Sequence, residues 1–223
     1  MTRQPRAELT RATIIEAAAY LFDRQGYGAA SLNDIAGQGR VTKGALYFHF
    51  ASKEELALAV IERQDELTRK ASEKLLAMDL PGFETVVRMT FELAGRVLWD
   101  PVTRAGMRLT LERAVPGGAA RESYGEWVEV VAGQLERAVA ELDVRPTIDP
   151  RACAGFIISA VTGIQLMSRA ALLDRSFPQR VAEMWDVIIP GLLPPRRSPH
   201  YLELVRALTA ETELVRRPGP SAY

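Results

Sequence analysis

Apolar positions in the first sixty residues recur with helical spacing. Between Leu9 and Gln25, the residues Ile14, Ile15, Ala18, Leu21 and Phe22 fall at i, i+1, i+4, i+7 and i+8, which makes one apolar stripe on a helix. Gly26 then stands where a glycine ends a helix. A second helix is predicted over 32–38, burying Leu32, Ile35 and Ala36, with Ser31 as its N-cap and Asp34 three positions on. The turn Gly39-Arg40-Val41 leads to Thr42, which can cap a short third helix reaching Phe50. Ser52 and Glu55 form another capping box, and from there a helix carrying Leu56, Val60, Ile61 and Leu67 is predicted over 52–78.

Beyond Pro81-Gly82 one theme repeats, apolar helical stretches ended by Pro or Gly. The spacing predicts helices near 83–99, 102–114, 121–142, 149–174, 178–193 and 198–216. Their breaks are Asp100-Pro101, Pro116-Gly117-Gly118, Pro146 and Pro194-Pro195. No segment alternates with period 2 long enough to make a strand, so the fold class is all-α. A head over 1–52 and a larger body over 53–217 are expected, with 218–223 as a disordered tail. Residues 1–8 read either as an ordinary loose terminus or as an arm bringing Arg3 and Arg6 to a minor groove.

Two short capped helices ahead of a long one are the layout of a helix-turn-helix, with Thr42–Phe50 as the helix offered to DNA. Lys43 and Tyr47 are i, i+4 and share a face, and Gly44 between them lets the backbone come close to a duplex. Val41, Leu46 and Phe50 are the expected anchors to Ile35 and Phe22. Thr42 offers a hydroxyl, and Lys43 offers charge or a contact to a guanine edge. Tyr47, His49 and Lys53 suit phosphate contacts. Taken singly each is also an ordinary solvated position; the set at this spacing is what points to DNA.

Charge adds little. The 28 basic and 28 acidic residues cancel, although 1–53 holds seven basic residues against four acidic, a small surplus where DNA would lie. Cys153 is the single cysteine and reads as a small core residue, which excludes a disulfide framework. His49 and His200 have no metal-ligand spacing, and the chain shows no nucleophile elbow, paired His/carboxylate motif or phosphate loop. Hence no catalytic residue, metal or cofactor is expected. No apolar run of about 18 residues stands out, so a cytoplasmic protein without a membrane partner is expected.

Residues 9–56 resemble the TetR family of transcriptional repressors. The matching residues are Ala17-Ala18, Leu21-Phe22, Gly26-Tyr27, Ile35-Ala36, the run Thr42-Lys43-Gly44-Ala45-Leu46-Tyr47-Phe48-His49-Phe50, and Lys53-Glu54-Glu55-Leu56. The resemblance implies a homodimer whose heads read the halves of a palindromic operator, and a body that binds a small molecule. One position departs: Arg40 stands where the family has glycine. A positive φ there would cost on the order of 1 kcal/mol; alternatively the turn differs and Arg40 faces a phosphate.

A narrower similarity, to the γ-butyrolactone autoregulator receptors of actinomycetes, rests on Val41–Ala57, Tyr124-Gly125-Glu126-Trp127, Thr162-Gly163-Ile164-Gln165 and Ala182-Glu183-Met184-Trp185. It implies a lactone, butenolide or furan signal controlling antibiotic production, with Trp127 lining the pocket and Gln64, Thr162 and Gln165 as hydrogen-bonding candidates. The residues alone read Trp127 as core beside Val130, Val131 and Leu135, and leave the polar residues open to capping, water or an i−4 backbone bond. A repressor of an efflux or metabolic operon with another apolar ligand is the alternative. The small residues of 149–174, together with Val181, Met184, Trp185, Ile188 and Leu192, make either a four-helix dimer interface or plain core.

Overall fold

The computed structural model describes residues 4–112, 119–169 and 174–214, all helix and connecting turn. Among them the helices are α1 (Gln4–Ala29), α2 (Leu32–Gln38), α3 (Lys43–His49), α4 (Lys53–Leu76), α5 (Gly82–Trp99), α6 (Pro101–Glu112), α7 (Ala119–Ala140), α8 (Pro150–Arg169), α9 (Phe177–Leu192) and α10 (Ser198–Leu214). Each predicted helix is present. Arg3, the ends of three predicted helices (113–114, 170–174 in part and 215–216) and the tail 218–223 lie wholly or partly outside the described residues.

Helix starts follow local chemistry. Ser31 Oγ accepts from Asp34 N at 3.1 Å, and Thr42 Oγ1 from Ala45 N at 3.1 Å. Ser52 Oγ accepts from Glu55 N at 3.1 Å, while the Glu55 carboxylate reaches back to Ala51 N at 2.7 Å. Asp100-Pro101, expected as a break, is also a helix start, and Asp149-Pro150 starts α8 in the same way. Asp100 accepts from Val102 N and Thr103 N, and Asp149 from Arg151 N and Ala152 N, each with proline at the first helical position.

The described residues divide into two compact units, 4–69 with 100–112 and 119–121, and 70–99 with 122–169 and 174–214. The expected boundary after residue 52 falls inside the first of these units. The part of α4 up to Arg69 and all of α6 pack with the head. Their apolar residues Leu56, Val60, Val102, Ala105 and Leu109 share one core with Ile14, Ala18, Phe22, Ile35, Leu46 and Phe50. The expected arm is also corrected in part, since Gln4–Leu9 is already helix and Arg6 is an exposed α1 residue.

At Gly26 the helix is kinked rather than ended: φ 82° and ψ 168° interrupt α1, which resumes to Ala29. That conformation is open to glycine alone. The interruption frees carbonyls of the preceding turn, and Arg108 of α6 takes them, donating to Phe22 O at 3.2 Å and Asp23 O at 3.3 Å. Arg104 pairs with the Asp23 carboxylate at 2.8 Å, and Glu112 pairs with Arg108. The sequence signal was available: Arg104, Arg108 and Glu112 lie at i, i+4, i+8 and are the charged residues of α6.

In the second unit α5, α9 and α10 pack together. Phe83 meets Trp185 and Tyr201 edge-on, with ring centroids 5.5 and 4.9 Å apart. Trp185 donates to Thr90 Oγ1 at 2.9 Å, and Tyr201 to the buried Asp143 carboxylate at 2.5 Å. Burial, then that carboxylate, drive the Tyr201 phenol far above its ordinary range. Cys153 is buried as expected, and burial pushes its thiol up to about 11.

Candidate DNA-reading and ligand-binding sites

In α3 the anchoring side chains and the presented ones separate cleanly. Leu46 and Phe50 are each 1% exposed and join the core that holds Phe22 and Ile35. Thr42, Lys43 and Gly44 are exposed, Tyr47 is 55% exposed and Phe48 81%, while His49 is half-buried against Phe48 and Phe50. A seven-residue helix is too short to be stable alone. The Thr42 cap and the two anchors hold it.

Arg40 has φ +50°, whereas Gly39 beside it has φ −80°. The left-handed position of the turn is therefore the one occupied by arginine, and of the two readings the strained one holds. Gly39 has its own reason, since a Cβ there would come 3.2 Å from the Ala17 side chain.

Lys53, expected at a phosphate, meets the end of α1 within the head. Its ammonium donates to Tyr27 O at 2.8 Å, Ala30 O at 3.1 Å and Gly28 O at 3.4 Å, and lies 4.5 Å from the Tyr27 ring centre. These are the end carbonyls of α1, where a cation is favoured by the helix dipole and by unmatched acceptors. All three ammonium hydrogens have partners in the protein.

The four ligand candidates fall in two places. Gln64 belongs to the first unit, is 7% exposed, and donates to Thr68 Oγ1 at 2.9 Å. It packs so closely on α6 that a Cβ on Gly106 would sit 2.4 Å from its own Cβ. Trp127, Thr162 and Gln165 belong to the second unit. Trp127 is half-buried and extends the α7 face made by Val131, Leu135 and Ala138. Thr162 is half-buried on the flank of α8. Gln165 is 4% exposed and in register with Ala154, Ile157 and Val161 on the buried face.

The other side of α8 is bare. Phe156 is 58% exposed, Leu166 55% and Met167 46%, with the partly exposed Ala160 and Gly163 between them. Contrary to the sequence expectation, Pro150–Ser168 is by length and composition apolar enough to cross a membrane; a small share of it is buried. On α9, Val181, Trp185 and Leu192 are core rather than interface, Met184 and Ile188 are half-buried, and Val187 is the exposed large apolar residue at 80%.

Comparison with known proteins fits this geometry. Residues 14–60 match the family model for bacterial regulatory proteins of the tetR family, and 80–194 match the tetracyclin repressor-like C-terminal domain. The chain belongs to the TetR family. The A-factor receptor protein of Streptomyces griseus is 36% identical to this TetR-family chain over 87% of the chain and 68% of the relative. CprB from Streptomyces coelicolor, solved with its biological operator sequence, is 39% identical, covers 92% of this chain and 99% of its own, and superposes with TM-score 0.80. A γ-butyrolactone receptor described as ArpA-like is 37% identical over 92% of this chain and 98% of its own, with TM-score 0.79. The chain is thus a TetR-type regulator closely related to γ-butyrolactone receptors, and its relatives are transcriptional regulators rather than enzymes.

Proposed function

We propose that this chain is a cytoplasmic, ligand-released repressor acting as a homodimer on a palindromic operator, with a diffusible γ-butyrolactone, butenolide or furan as the releasing signal and secondary-metabolite genes as the target. Two copies would place α3 in successive major grooves, about 34 Å or a multiple apart. Thr42, Lys43, Gly44, Tyr47 and His49 would contact DNA, with Arg6, and Arg3 before it, near the phosphates. Lys53 would act differently, holding the end of α1 against the start of α4, so that α3 is kept in place rather than the phosphate bound.

One observation carries the ligand half of the reading: Gln165, a buried amide on the apolar face of α8. A flat apolar lactone needs apolar walls and a few placed donors, which Gln165, Thr162 and Trp127 would supply. Gln64, the fourth candidate, belongs to the first unit, where its amide donates to Thr68. Because α4 contributes residues to both units, movement of one of its ends would be felt at the other. The coupling required is modest, about 1–3 kcal/mol between ligand and operator.

The test is to retain genomic fragments on the purified protein, sequence them, and add synthetic γ-butyrolactones to the complexes. Release by a lactone supports the reading. Release only by a drug or fatty acyl compound would make the protein an efflux or metabolic regulator, and no retained DNA would refute the repressor.

A further inference from the structure

Phe48 holds a phenyl ring in water at 81% exposure, more than any other large apolar side chain described on a helix of the first unit. It is not needed to anchor α3, since Leu46 and Phe50 do that at 1% exposure each. The ring has an aromatic neighbour. It meets the His49 ring edge-on, with centroids 5.1 Å apart and planes at 84°, and His49 in turn lies 6.5 Å from the buried Phe50 ring. A chain of rings therefore runs from the core to the exposed edge of the helix and aims Phe48 outward.

Its neighbours define its surroundings. Thr42, Lys43 and Tyr47 are exposed on the same short helix and bring a hydroxyl, a charge and a phenol. Phe48 brings no donor and no acceptor, so it cannot bind a phosphate or the hydrogen-bonding edge of a base. Among the groups a major groove displays, one is apolar: the C5-methyl of thymine. We infer that Phe48 is a specificity-determining residue that packs on a thymine methyl in each operator half-site, reading sequence without a hydrogen bond. The inference rests on the reading of α3 as the DNA-facing helix.

The experiment uses the full-length dimer and an operator fragment it retains. Each thymine of the half-site is replaced in turn by uracil, which removes the methyl and keeps the pairing and the O4 acceptor. Binding is read by fluorescence anisotropy. At one position per half-site, uracil is expected to weaken wild-type binding about three- to fivefold, the scale of one methyl-sized apolar contact. Phe48→Ser is expected to bind the thymine and uracil operators equally, while Phe48→Leu keeps part of the preference. Circular dichroism and sedimentation check that both variants remain folded dimers. Wild-type protein that tolerates uracil at every position, or Phe48→Ser that keeps the full thymine preference, overturns the inference while leaving DNA binding intact. A wild-type protein that binds no operator overturns the reading of α3 itself, so the two failures are distinguishable.

Discussion

Helices α3 and α8 both carry large apolar side chains into solvent, and they do so in different company. On α3, Tyr47 and Phe48 stand beside Thr42, Lys43 and Gly44, so the exposed side is aromatic, hydroxylated and cationic over two turns. On α8, Phe156, Leu166 and Met167 are separated by alanine, glycine and serine, with Arg151 the one charged residue from Pro150 to Ser168. The first mixture matches a duplex, which offers phosphates, base edges and thymine methyls. The second matches another surface of its own kind, since small residues let helix backbones approach and large ones interlock. Exposure of apolar surface is therefore not one signal. Its meaning depends on the polar groups beside it.

The largest expected effect comes from charging the bare face of α8. Phe156→Glu or Leu166→Glu should convert the dimer to monomers in sedimentation equilibrium. Operator affinity should fall at least about a hundredfold, because a linked second head acts at high effective concentration. A charged variant that stays dimeric would assign that face to something else.

Next comes the α3 side. Lys43→Ala should weaken operator binding about tenfold, and Tyr47→Ala should do the same with the dimer unchanged. If Lys43 pairs with a phosphate, its removal also makes the salt dependence shallower by about one unit in each half-site. Normal operator affinity in both variants would remove DNA from the comparison.

Lys53 sharpens the boundary of the DNA face. Lys53→Met should lower the stability of the protein by about 1–3 kcal/mol in urea unfolding, since three carbonyls lose a charged donor. It should weaken operator binding without changing the salt slope; a slope that flattens by about one would return Lys53 to a phosphate.

Arg40 gives the smallest effect. Arg40→Gly should raise stability by up to about 1 kcal/mol by relieving the left-handed backbone, less what glycine adds to unfolded-state entropy. Unchanged stability together with a shallower salt slope would mean that the arginine is kept there by a phosphate.

The helices were legible in the sequence because periodicity and caps are local. Ser31, Thr42 and Ser52 announce their helices, and each caps as its spacing requires. The anchors Leu46 and Phe50 were legible for the same reason. What was hidden depends on partners far along the chain. Lys53 looks like a free cation until the end of α1, more than twenty residues earlier, is seen beneath it. Gly26 looks like a helix stop until Arg108 is found collecting the carbonyls that the kink releases. On α9, the stripe Val181–Trp185–Leu192 reads the same whether it faces core or partner. The hydrogen bond from Trp185 to Thr90 places it inside. Gln165 is the converse case, a polar residue whose value as a candidate rises because its helix buries it.

The central claim is that a small apolar signal bound in the body lowers affinity for the operator. The most direct measurement is an anisotropy titration of the operator complex with a synthetic γ-butyrolactone, wild type beside Gln165→Leu and Trp127→Ala. The wild type should be released, with apparent operator affinity falling about 5- to 150-fold at saturating ligand. Both variants should bind operator as the wild type does and resist release. Operator affinity that stays constant across the titration, for any lactone that calorimetry shows to bind, would contradict the claim.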